Sequence, residues 1–248
     1  MRKTIWIFLF ALIPLWAQTA DNLFEQANQA YRDGKFEQAL SLYKQIEEQG
    51  MVSGALYFNM GNAAYRLRKY GLARLYYERA KKLMPNDEDL KYNMELLTLR
   101  LTDQIKDPPQ LFLFRWWHGL TELLPAKGWG MASLTLLIVT LTGWAFFFYR
   151  RNRGRSVQLR VASYLSFLWV FVMIIWVTKS YREQTDRYAV VLVPSETVHA
   201  EPSETTTELF ILHEGAKVKI EQQNNNWALI RLKDGKTGWL SSKSIEEI

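Results

Sequence analysis

Residues 27–43 read ANQAYRDGKFEQALSLY, and residues 61–77 read GNAAYRLRKYGLARLYY. With no gap, Asn28 aligns with Asn62, Ala30 with Ala64, Tyr31 with Tyr65, Arg32 with Arg66, Phe36 with Tyr70, Ala39 with Ala73 and Tyr43 with Tyr77, an offset of 34 residues. A chain that repeats at a fixed period of this length stacks like units, because one unit alone cannot bury its apolar face. Within each copy, small and apolar residues recur at helical spacing on both sides of a short break. In the first copy the break is Asp33-Gly34-Lys35, where glycine suits a left-handed turn; in the second, Arg68 takes that place. Each copy is therefore predicted to be a helical hairpin, with alanines letting backbones approach and aromatics filling the space between. Pro85-Asn86-Asp87 ends the second hairpin and caps a further helix, whose Tyr92-Asn93-Met94 echoes Phe58-Asn59-Met60. The predicted helical domain covers 21–107, with units at about 20–53 and 54–87 and a capping helix at 88–106.

The remainder of the chain has a different texture. Arg2 and Lys3 precede an apolar run from Ile5 to Trp16 and then small residues, the three parts of an export signal, expected over 1–20. Trp129–Tyr149 and Val161–Thr178 carry no charge. At about 1.5 Å per residue the shorter covers about 27 Å, close to a bilayer core, so transmembrane helices are expected at 129–149 and 161–178. The segment between them, 150–160, holds Arg150, Arg151, Arg153, Arg155 and Arg160 and no acid. Such a segment between two spans reads as a cytoplasmic turn rather than a nucleic-acid patch. Signal and arginines agree in placing both flanking parts on the outer face of the inner membrane, the periplasm of a diderm bacterium. Residues 108–128 begin with Pro108-Pro109 and continue LFLFRWWHGLTELL, where Trp116 and Trp117 suit a linker lying in the membrane interface.

From Tyr188 onward short β-type runs appear: YAVVLV, ELFILHEG, AKVKIEQ, WALIRL and TGWLS. Polar turns separate them, with Asp234-Gly235 a hairpin signal. About five strands in residues 188–248 suit a small barrel. Trp227 and Trp239 are candidates for stacking on a ligand, set against the alternative that both fill the core of a small domain.

The repeats resemble the tetratricopeptide repeat, through Gly61, Tyr70, Ala73, Tyr77, Ala80 and Pro85 in the second copy and Ala27, Gly34, Phe36, Ala39 and Tyr43 in the first. The resemblance implies a groove that holds peptides or partner domains, lined by Asn28, Arg32, Asn59, Asn62, Arg66 and Asn93. Phe24, Asp89 and Asn93 stand where carboxylate-gripping members carry further basic residues, so a C-terminal carboxylate is not the implied ligand. The last domain resembles a bacterial Src-homology-3-like domain through Glu214-Gly215, Trp227, Asp234-Gly235 and Gly238-Trp239, and departs from it at His199 and Glu201.

The absence of cysteine excludes disulfides, thiolate metal sites and a cysteine nucleophile, and no phosphate loop or metal-ligand spacing occurs. No enzyme activity, cofactor or metal is expected. The fold class is multidomain α plus β: a helical solenoid, a transmembrane helical hairpin and a small C-terminal barrel. This whole order resembles the BatE proteins of bacterial aerotolerance operons. The resemblance implies a membrane scaffold with protein partners, namely membrane proteins bearing von Willebrand factor A domains and a MoxR-type ATPase system. Peptidoglycan, bound through the C-terminal domain, is the alternative partner.

Overall fold

The computed structural model describes residues 21–105, 111–149, 155–224 and 226–248, which fall into two compact units. One unit unites the N-terminal repeats with the C-terminal sheet; the other holds residues 109–187. The predicted export signal lies outside the described residues, as do Arg150, Arg151 and Arg153.

In the first unit, α1 (residues 21–32) and α2 (Phe36–Glu48) form one helical hairpin, and α3 (Gly54–Arg66) and α4 (Tyr70–Leu83) form the next. A fifth helix, α5 (Glu88–Thr98), packs against α4. The repeating alanines are buried, and Tyr43 and Tyr77 fill the space between helices. Gly34 adopts a left-handed φ of 76°, and Arg68 adopts one of 58° at the matching turn. Ser53 and Asp87 cap α3 and α5 by accepting from the backbone N–H of Leu56 and Leu90. No local side chain caps α4. The capping helix is shorter than the expected 88–106: α5 stops at Thr98, and residues 101–105 form a non-helical strap. Leu101 stays buried with the repeats while Ile105 packs against the sheet, and a continued helix would carry one or both away from these cores.

The sheet has seven strands: β1 (Arg187–Val191), β2 (Ser195–His199), β3 (Glu208–His213), β4 (Lys217–Gln223), β5 (Trp227–Arg231), β6 (Thr237–Ser241) and β7 (Ile245–Glu247). Their order is β3-β2-β6-β5-β4-β1-β7. In a flat sheet, β3 and β4 would lie about 19 Å apart, at about 4.8 Å per strand. Four Cα steps join His213 to Lys217 and span at most about 15 Å. The sheet must therefore curl on itself, and one core drawn from β1 to β6 fills it: Ala189, Val191, Val198, Leu212, Val218, Ile220, Ala228, Ile230 and Leu240. Two strands beyond the predicted five are β2 and β7. Both are polar and short, SETVH and IEE, so neither presents an apolar run to be read.

The second unit comprises α6 (Phe112–Glu122), α7 (Ala126–Tyr149) and α8 (Arg155–Thr185). Helices α7 and α8 are long and apolar enough to cross a membrane. They run antiparallel, with Gly130 against Trp176, Gly143 against Leu165 and the Trp144 indole donating to Ser166 Oγ at 3.0 Å. Both exceed the predicted spans, because adding helical residues to a formed helix costs little even past the apolar stretch. Arg155 and Arg160 thus belong to α8 rather than to a turn. Helix α6 is fastened to the other two at its C-terminal end. There the Thr121 carbonyl accepts from Lys179 Nζ at 3.0 Å and from the Trp129 indole at 3.2 Å, a cation at the negative end of a helix. Trp117 meets Phe171 edge-on, while Phe112, Leu113, Phe114 and Trp116 remain exposed.

Candidate functional site

The candidate asparagines form two copies of one ladder. Asn28 Oδ1 accepts from Tyr43 Oη at 2.7 Å and from Asn59 Nδ2 at 3.1 Å. Thirty-four residues on, Asn62 Oδ1 accepts from Tyr77 Oη at 2.7 Å and from Asn93 Nδ2 at 2.8 Å. Burial pushes the Tyr43 phenol up to about 12 and raises Tyr77 as well, so both keep the proton they donate. Each carbonyl oxygen thereby spends both lone-pair directions inside the protein, stitching each repeat to the first helix of the next.

The second rung borders a cavity of about 160 Å³ lined by Tyr31, Asn62, Tyr65, Arg66, Tyr77, Asn93 and Leu96. Its residues come from α1, α3, α4 and α5, so stacking creates it and no single repeat contains it. The Arg66 guanidinium lies 4.5 Å from the centroid of the Phe36 ring. Arg32 is differently placed: it turns back along its own helix to Glu25 and Gln29. Asn28 and Asn59 lie on the first rung, away from this cavity.

On the sheet, Trp227, Asn224, Asn226 and Pro202 line a wider cleft. Trp227 meets the His199 ring edge-on at 5.8 Å. Residues 228, 230 and 240 point into the core, so by alternation Trp227, Leu229 and Trp239 lie on the outer face, and the pairing of His199 with Trp239 places His199 beside them. Neither tryptophan belongs to the core cluster. His199 is buried, and its Nδ1 has no hydrogen-bond partner among the described residues. Trp239 does not line the cleft.

A third set of residues, not recognised as functional in the sequence, joins sheet to repeats. Glu78 on α4 is buried between Arg74, at 2.7 Å, and Lys217 of β4, also at 2.7 Å. Burial alone would raise its pKa; Lys217 and then Arg74 overcome this and hold the carboxyl at about 2. Glu214 Oε2 accepts from the Gly71 N–H at 3.0 Å, capping α4 from the sheet. A Cβ on Gly71 would stand 3.0 Å from the Val191 carbonyl oxygen, so glycine permits this approach. Arg79 reaches Glu246 and the Glu247 carbonyl, and Asp103 of the strap holds His213 through its backbone N–H and ring. Apart from Arg74 with Glu78, each pair is more than a hundred residues apart in the chain, beyond what local spacing signals.

Stacked helical hairpins joined to a curled antiparallel sheet define a chain built of two binding modules of typically non-catalytic kinds. Residues 54–87 match the family model of the tetratricopeptide repeat, and residues 196–246 match that of the bacterial SH3 domain. No curated protein matches the chain.

Proposed function

We propose that this protein is a non-enzymatic adaptor inserted in the bacterial inner membrane through α7 and α8. On this reading its repeats and sheet stand on the periplasmic side, the basic segment around Arg150–Arg160 faces the cytoplasm, and α6 rests its exposed aromatics in the membrane interface. The observation that carries the adaptor reading is the cavity at Arg66, assembled across α1, α3, α4 and α5 by the stacking itself. The order of modules resembles that of the BatE proteins, which supports partners bearing von Willebrand factor A domains, a MoxR-type ATPase system and a role in aerotolerance or envelope stress. The test is a photoreactive amino acid placed at Leu96, which lines the cavity and leaves Arg66 in place, and, as control, at exposed Lys44 in living cells. A discrete cross-linked protein from position 96 alone is expected. No product at 96, or the same products at both positions, would overturn the reading.

A second reading is a cell-wall tether acting through the sheet. The observation favouring it is the cleft at Trp227 beside a buried His199 nitrogen without a partner. Retention of the whole protein on purified peptidoglycan, abolished by Trp227→Ala, is the expected result. Equal retention with and without the indole would remove this reading.

A further inference from the structure

We infer that the Arg66 cavity is a receptor for a glutamate side chain on an extended segment of the partner protein. This rests on the adaptor reading and adds the chemistry of what it holds. Arg66 carries five N–H donors and a permanent charge, and no carboxylate pairs with it among the described residues. Several cations of the repeats do have carboxylate partners, Arg32 with Glu25, Arg74 with Glu78, Arg79 with Glu47 and Glu246, and Lys91 with Glu88, but of the cations without one only Arg66 lines this cavity. No acidic residue lines the cavity.

The hydrogen-bond inventory points the same way. Asn62 Oδ1 is occupied twice, so Asn62 offers the cavity only its Nδ2 donors. Tyr65, also in the lining, carries a hydroxyl able to donate or to accept. The lining's one side-chain amide acceptor is Asn93 Oδ1. A cavity with an unpaired cation and a surplus of donors complements an anion rich in lone pairs.

Size and wall chemistry choose among carboxylates. A cavity of about 150 Å³ admits a benzene-sized guest, and this one measures about 160 Å³. Leu96 and the rings of Tyr31, Tyr65 and Tyr77 supply an apolar wall suited to methylene groups, which a glutamate stem has and a chain terminus lacks.

The experiment titrates the detergent-solubilised full chain with three peptides: acetylated, amidated hexaglutamate; acetylated, amidated hexaglutamine; and acetylated hexaglycine with a free C-terminus. Hexaglutamate is expected to bind, more weakly as salt rises, and Arg66→Gln to weaken it by about tenfold or more. Arg66 is exposed and outside the asparagine ladder, so the variant should keep the wild-type melting midpoint; Arg66→Lys, tested beside it, should retain part of the affinity. Equal binding of hexaglutamate and hexaglutamine, preference for the free terminus of hexaglycine, or hexaglutamate binding untouched by Arg66→Gln would each overturn the inference. Cross-links from position 96 without any hexaglutamate binding would overturn the glutamate chemistry while the adaptor reading stands.

Discussion

A single oxygen atom, Asn62 Oδ1, separates recognition from architecture in the repeats. It takes one hydrogen bond from the buried Tyr77 phenol and one from the next helix, so removing it leaves Tyr77 with an unsatisfied hydroxyl. Asn62→Ala is expected to lower stability by about 1–3 kcal/mol. Asn59→Ala, which removes only one of the two donors to Asn28, should cost about 1 kcal/mol or less. Thermal melting of the solubilised protein checks both, with Arg66→Gln expected within about 0.5 kcal/mol of wild type as a surface substitution. The 34-residue spacing aligned Asn28 with Asn62 and Asn59 with Asn93, and the resemblance to the tetratricopeptide repeat grouped the four. It did not reveal that their carbonyls turn inward, because Asn62 and Asn93 belong to different units and meet only through the stack.

At the scale of the element, the two hairpin turns test the repeat directly. Gly34 and Arg68 occupy the same left-handed turn, and only glycine does so without a Cβ penalty. Arg68→Gly is therefore expected to raise stability by about 0.5–1 kcal/mol. Gly34→Ala should lower it by about 1 kcal/mol; opposite shifts in melting midpoint would confirm the equivalence of the turns. Helices were the legible elements here, since a period near 3.6 and paired breaks extend over many residues. Strand β2 was not: in SETVH only Val198 reaches the core, and Glu196 is kept for the Ser241 N–H and the Ser244 hydroxyl. The uncapped start of α4 was equally hidden, because its cap, Glu214, arrives from β3–β4 across 143 residues of sequence.

At the scale of the whole molecule, the repeats and the sheet read as separate domains in the sequence but share one compact unit. Gly71, Leu75, Glu78 and Lys82 recur at helical spacing along one stripe of α4. Gly71, Glu78 and Lys82 contact the sheet, and Leu75 between them is fully buried without belonging to the repeat core. On β1, Val190 is likewise buried outside the sheet's own core, on the face opposite Ala189 and Val191. The ion pair at the centre of this junction has side chains only 5% and 23% exposed for Glu78 and Lys217. Glu78→Gln leaves Lys217 and Arg74 without their carboxylate and should destabilise by about 3–5 kcal/mol, whereas Glu78→Leu combined with Lys217→Met, which removes charges of both signs, should cost far less. The same pair predicts an acid response. Glu78 is depressed from an ordinary 4.5 to about 2, so its stabilisation is complete above pH 4.5 and is lost as the pH falls from there toward 2. The wild-type melting midpoint should therefore drop through that window, and the double variant should show a shallower drop. A double variant as steep as wild type would assign the acid step to other carboxylates and leave the junction held by its apolar contacts and the Glu214 cap.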